Sequence, residues 1–283
     1  MSGDRDPIRV QREGAVTTII IIRPHARNAL DTASVLALER AFRSFDEDES
    51  ARIAVLYGTG GTFCAGADLK ELATGTLYEA WAGGESGMLG APLSKPLIAA
   101  VEGHAVAGGL GLALYCDIRI ADETAVFGVF CRRYGVPMSD GTTVRLPRLI
   151  GEARAMDMLL TGRAVTADEA KAFGLVSEVV ARREALSRAQ ELAREIAAFP
   201  QTAMRSDRMS LLESRGRPLR EALRREAELA EKKSVELGRR CAKPPNDFSP
   251  GQRRGGNGLL RFESYKNGTC QTHAWERPTR EGQ

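Results

Sequence analysis

Two stretches of the chain leave an apolar run through glycine and enter a segment with helical spacing: GTFCAGADLKEL at 61–72 and HAVAGGLGLALYCD at 104–117. Glycine at such a junction has two physical uses. It lets a helix pack closely on a strand, or it leaves backbone N–H groups bare and aimed at a ligand, with the helix N-terminus adding partial positive charge. A dinucleotide loop is not supported, because GGLGLAL lacks the third glycine of GxGxxG. Two junctions facing each other supply two N–H donors to one oxygen atom. Such an oxyanion hole stabilises negative charge developing on a carbonyl. The candidate donors lie around Gly66-Ala67-Asp68 and at the glycines that open the second helix.

The elements that position these junctions are readable from periodicity. AVTTIIIIRP (15–24) is β-branched, ends at Pro24 and predicts a buried strand. Asp31-Thr32 opens a helix to about Phe45, with apolar positions at Val35, Leu36, Leu38, Phe42 and Phe45. RIAVLYGTGG (52–61) predicts a second buried strand, KPLIAAVEGHAVAGG (95–109) a third, and 117–128 one or two short ones. Strands alternating with helices over 8–180 predict an α/β core. Thr166 with Glu169 forms a capping box for a helix ending at Gly174, and 184–199, 201–213 and about 218–237 predict three more helices. The division expected is 1–180 for the mixed core and its site, 181–237 for a helical portion, and 238–283 for a basic, poorly ordered tail without periodicity.

The 283 residues, 43% hydrophobic, suffice for a sizeable core. The net charge of +3 hides an asymmetry: residues 238–283 hold nine Lys/Arg against four Asp/Glu, and the rest is slightly acidic. The body has no basic stripe and the tail few aromatics, so a nucleic-acid partner is not expected. The cysteines (Cys64, Cys116, Cys131, Cys241 and Cys270) are odd in number and form no CxxC pair, so neither a metal site nor a disulfide framework is expected. The N-terminus has no apolar signal region and no run approaches ~18 apolar residues. A cytoplasmic protein without a membrane span is the expectation.

RPHARNALD (23–31), GTFCAGADLKEL, KPLIAAVEGHAVAGGLGLALYCDIRIADETAVFG (95–128) and RLPRLIGEARAMDMLLTGRAVTADEAKAFGLVSEVV (145–180) resemble the crotonase superfamily of enoyl-CoA hydratases and isomerases. The resemblance covers roughly 8–237. It implies a spiral of ββα units and a helical C-terminal portion that mediates homotrimers, often paired into hexamers. It implies an acyl-CoA thioester substrate in fatty acid metabolism, with coenzyme A arriving on the substrate and no separate cofactor. The thioester oxygen would be held by the N–H groups of Ala67 and Gly108. His25, Arg27, Ala65, Gly66, Asp68 and Leu69 would line the coenzyme A channel, and Arg27 and Lys70 would meet its phosphates.

The default activity so implied is enoyl-CoA hydratase, yet the two glutamates that handle water in that pattern are absent. The first position is Gly111 and the second is Cys131, and neither residue does a carboxylate's acid–base work. Asp140, in GVPMSDGTTVRLP, is the leading substitute acid, weighed against plain Asp-Gly turn chemistry. Cys131 as nucleophile, Arg132 and Arg133 as carboxylate anchors, and Glu85 as a remote acid are weaker alternatives. Glu102 is expected to face away from the thioester, and His104 to be structural. Isomerisation, hydrolysis or decarboxylation using Asp140, or acyl-CoA binding without turnover, therefore stand beside hydration.

Overall fold

The computed structural model describes residues 6–74, 81–82, 87–241, 261–266 and 269–274, with side chains to residue 231. The elements begin β1 (Ile8–Glu13), β2 (Val16–Ile21), α1 (Thr32–Glu47), β3 (Ile53–Gly58), α2 (Leu69–Leu72), β4 (Leu97–Val101), β5 (His104–Val106) and α3 (Gly108–Tyr115). They continue β6 (Ile118–Asp122), β7 (Val126–Gly128), α4 (Thr142–Ile150), α5 (Glu152–Thr161), β8 (Val165–Thr166), α6 (Ala167–Phe173) and β9 (Glu178–Val180). Then come α7 (Ala185–Ala198), α8 (Gln201–Glu213) and α9 (Leu219–Cys241).

Two sheets organise the body. The larger has the order β1-β2-β3-β4-β6-β9, the smaller β5-β7-β8. All neighbours in the larger sheet are parallel except β1 and β2. Three successive turns of chain repeat one course. β3, β4 and β6 each add a strand to the larger sheet; the chain then crosses to the smaller sheet at Cys64, β5 and β7, and goes on to α2, α3 and α4 respectively. Cys64 joins the smaller sheet through a parallel bridge to Ala105. This is the spiral of ββα units.

The larger sheet is covered on both faces, which is why β2, a β-branched run, is buried at every position rather than at alternate ones. One face buries Ile19, Leu56 and Ala99, which stand side by side in register, against Leu38, Phe42 and Phe63. The other buries Val55, Ile98 and Ile120 under Ala185, Ala189, Ala193 and Ala197, whose four-residue spacing gives α7 a small-residue stripe for close approach. Residues Met1–Val235 accordingly form one compact unit, and position 180 marks a change of composition from mixed to helical.

The helix boundaries follow their caps. Asp31 accepts from the Ser34 backbone N–H at 2.9 Å, and Thr166 accepts from Glu169 at 3.3 Å. The single strand expected over 95–109 is instead two, in different sheets. Gly103 turns between them with φ 56°, and an added Cβ would stand 2.2 Å from the Gly61 carbonyl oxygen. The tail unit, Glu236–Gln283, carries an antiparallel pair, β10 (Arg261–Lys266) and β11 (Thr269–Ala274), in a stretch whose aperiodic composition gives no strand reading.

Candidate active site

The three crossings from the smaller sheet to a helix stack beside one another, and the site lies where they meet. The first crossing runs from Cys64 through Gly66 and Ala67 to α2. Leu30 and Ala67 form a parallel bridge in which Leu30 donates to the Gly66 carbonyl and Asp68 donates to the Leu30 carbonyl. That pattern leaves the Ala67 N–H out of the ladder. The second crossing runs from Val106 through Ala107, at φ 51° and ψ −126°, to Gly108 at the head of α3. Among the described residues, neither Ala67 N–H nor Gly108 N–H donates to an acceptor. The two crossings nearly touch: Gly66 has φ 97°, and a Cβ there would lie 2.7 Å from the Gly108 nitrogen.

Gly109 is steric, since a Cβ would meet the Cys64 carbonyl oxygen at 2.0 Å. Gly108 lies under the buried Trp81 ring, 2.5 Å from its hypothetical Cβ.

The third crossing brings in the acid. After β7 a 3₁₀ turn, Phe130–Tyr134, leads to Asp140 just before α4. Asp140 is 2% exposed, and its Oδ1 accepts from the Thr142 N–H at 2.9 Å. A Cβ on Gly111 would lie 2.4 Å from the Asp140 Cγ and 2.7 Å from its Oδ2. The carboxyl of Asp140 therefore fills the space next to residue 111 that a longer side chain there would need. Burial pushes the Asp140 carboxyl above the usual carboxylate range, opposed by the Thr142 hydrogen bond and more weakly by Arg145.

One cavity of about 70 Å³ is lined by Ala65, Ala67, Leu69, Gly108, Cys131 and Asp140, closed on its apolar side by Leu72, Phe130, Val136 and Met138. The other expected residues stand apart from it. His25, Arg27 and Lys70 are exposed and lie outside the lining. The Arg27 carbonyl instead receives the Ala65 N–H at 3.1 Å. Asp68 caps α2 by accepting from the Lys70 N–H and pairs with Arg23 at 3.2 Å, so its side chain positions the first crossing.

Cys131 reaches the cavity, but burial and, secondarily, the neighbouring Asp140 push its thiol up, and its Sγ sits 2.9 Å from the Met138 Sδ. That environment suits an inert thiol rather than a thiolate nucleophile. Arg132 and Arg133 turn away: Arg132 donates to the Leu159 carbonyl and Arg133 to that of Gly162 while stacking on Phe130. Glu102 is buried behind the strand and accepts from Tyr57 at 3.0 Å, and exposed His104 meets the Phe130 ring edge-on. Glu85 lies outside the described residues.

No sequence pattern singles out the side chain of Trp81, one of two tryptophans in the chain, over Gly108, or Phe130 and Met138 as walls. Their spacing matches no periodic pattern; only the stacking of the crossings brings them in. Among the described residues no group of three His, Cys, Asp or Glu side chains is placed to hold a metal ion, and no helix is long and apolar enough to cross a membrane.

A family model described as enoyl-CoA hydratase/isomerase matches residues 11–241. Enoyl-CoA hydratase EchA19 of Mycobacterium tuberculosis is 39% identical over 222 residues, 76% of this chain and 84% of its own length. Carnitinyl-CoA dehydratase of Salmonella arizonae is 39% identical over 195 residues, covering 68% of this chain and 74% of its own. Among solved structures, an enoyl-CoA hydratase from Bacillus anthracis superposes with a TM-score of 0.76 at 32% identity, over 83% of this chain and 93% of its own. One from Mycobacterium tuberculosis H37Rv gives 0.75 at 33% identity, over 83% and 97%. With this match along the body and a spiral of the same build, the chain belongs to the enoyl-CoA hydratase/isomerase family.

Proposed function

We propose that this family member acts on an acyl-CoA thioester by stabilising its enolate and shuttling a single proton through Asp140. The observation that carries the reading is the packing of the Asp140 carboxyl against Gly111, beside Cys131. One carboxyl thus serves the region where two would be needed to activate and deliver water. In the proposed step, ionised Asp140 takes a proton from the carbon α to the thioester. The C–H electron pair moves into the Cα–C bond, and the carbonyl π pair moves onto oxygen. The N–H groups of Ala67 and Gly108 hold that oxygen, each such donor being worth roughly 2.7–4 kcal/mol in comparable holes. On a substrate with a β,γ double bond, the oxygen pair then re-forms the carbonyl, the Cα–C π pair moves between Cα and Cβ, and the Cβ–Cγ π pair takes the proton back from Asp140 at Cγ, which regenerates the carboxylate and completes an enoyl-CoA isomerisation. Hydration is the second reading, favoured by the relatives that carry the name enoyl-CoA hydratase.

The test is Asp140→Asn, which keeps the acceptor for Thr142 and removes the titrating group. General acid–base terms are worth 10²–10⁴-fold. Exchange of the α proton of a saturated acyl-CoA with solvent deuterium should fall by about that factor with little change in binding, and wild-type hydration of crotonyl-CoA should be slow. Fast hydration that survives Asp140→Asn would overturn the proposal and make Glu85 the next residue to substitute.

A further inference from the structure

A second, larger cavity of about 630 Å³ opens between the end of α3, α4 and α8. It is separate from the cavity at Ala67 and Gly108, with no lining residue in common. Its walls carry Arg119, Arg145, Arg148, Arg208 and Arg215 against one carboxylate, Asp117.

These five cations are not equivalent. Arg119 is buried and spent on main-chain carbonyls, those of Leu175 and Cys116 among them. Arg145 is fixed by the carbonyls of Asp140 and Leu89, and Arg208 by Asp117 and the Leu93 carbonyl. These bonds hold their guanidinium groups in place without neutralising Arg145. Arg148, on α4, and Arg215, just beyond α8, form no hydrogen bond or ion pair among the described residues. Burial and the nearby charge of Arg148 both disfavour the cationic form of Arg215.

Like charges converging on a concavity at this density repel one another, and the carboxylates beside them, Asp117 paired with Arg208 and Asp140 near Arg145, are fewer than the cations. The walls are concave and the volume is that of a small-molecule site rather than of a flat contact patch. Guanidinium groups on facing walls suit an oxyanion that accepts from both sides.

We propose that this cavity is a binding site for a small multivalent oxyanion of the phosphate or polycarboxylate class, distinct from the acyl-CoA site. The proposal stands whatever reaction the acyl-CoA site performs, since its readout is binding.

Titration calorimetry of the full chain with inorganic phosphate tests it, comparing wild type, Arg148→Gln/Arg215→Gln and the control Arg40→Gln, which alters an exposed arginine on α1. Because Arg148 and Arg215 hold no other group in place and repel each other, the double variant should melt no lower than wild type. The expected result is saturable binding that weakens at least tenfold in the double variant, weakens with added sodium chloride, and is unchanged in the control. Coenzyme A should leave phosphate binding intact. Displacement of phosphate by coenzyme A would overturn the proposal by assigning the arginines to the substrate's own phosphates. Absence of saturable binding would also overturn it, as would binding indifferent to the double substitution. Absence of binding together with a change of oligomeric mass in the double variant would identify carboxylates of a second copy as the counter-charge.

Discussion

Asp140 has its carboxyl among Gly111, Cys131 and Thr142, with 2% of its surface exposed. The same burial that brings its proton affinity toward working pH, as a proton shuttle needs, makes its charge unfavourable to the fold. The direction in pH follows from linkage. The folded-state pKa is raised above the unfolded value, near 3.8. Below the unfolded value both states are protonated and the group costs nothing. As pH rises through it, the unfolded chain ionises first and gains stability relative to the folded one, until the folded pKa is also passed. Asp140→Asn cannot ionise, so it should melt above wild type at pH 7–8, with the difference shrinking toward pH 4. Thermal melts across that range check it, and a difference that does not vary with pH would count against a buried ionised carboxylate. Activity should move the opposite way. In wild type, kcat/KM should fall on the acid side at a pH above the ordinary carboxylate range, as the base protonates.

At the scale of the element, function depends on where the chain crosses between sheets, and Gly103 controls one crossing. Its positive φ and its distance from the Gly61 carbonyl leave no room for a side chain. Gly103→Ala should cost roughly 1–2 kcal/mol from the left-handed backbone alone, and more from the clash. It should also disturb the Gly108 N–H, which follows on β5 and α3. A chemical denaturation curve checks the first expectation and α-proton exchange the second; a variant as stable as wild type would mean that the corner relaxes freely. This crossing also shows how far the sequence can be read. Within residues 95–109 only Glu102-Gly103 breaks the apolar run, and that pair marks a bend without saying that the two halves belong to different sheets. Caps at Asp31 and Thr166 and the β-branched run of β2 were legible because they depend on near neighbours. The two glycine-bearing junctions around Gly66 and Gly108 were legible as places of bare backbone, whereas Ala67 and Gly108 as donors and Asp140 as the substitute acid came from the family resemblance and stand as proposals. Trp81 over Gly108 was not legible, because that contact depends on tertiary stacking. The outward turn of Arg132 and Arg133 was hidden for a related reason: a five-residue 3₁₀ turn sets their direction.

For the whole molecule, the open question is what covers the helices after residue 200. Leu211 on α8 and Leu219 and Leu223 on α9 are 66%, 75% and 55% exposed, and Phe199 just before α8 is 59% exposed. Single exposed leucines need no explanation, but several on consecutive helices exceed what an isolated body of this composition requires. The interior has no use for them: the larger sheet is already closed by the alanine stripe of α7 on one face and by α1 with its neighbours on the other. We therefore expect a homotrimer or hexamer that buries this surface, with light scattering at micromolar concentration giving three or six times the chain mass. Fully burying a leucine is worth roughly 1.5–3 kcal/mol, and the residues recur in every interface of a symmetric ring. Leu219→Glu/Leu223→Glu should therefore dissociate the assembly while leaving the fold of each chain intact. A wild type that runs as a monomer at that concentration would refute the expectation.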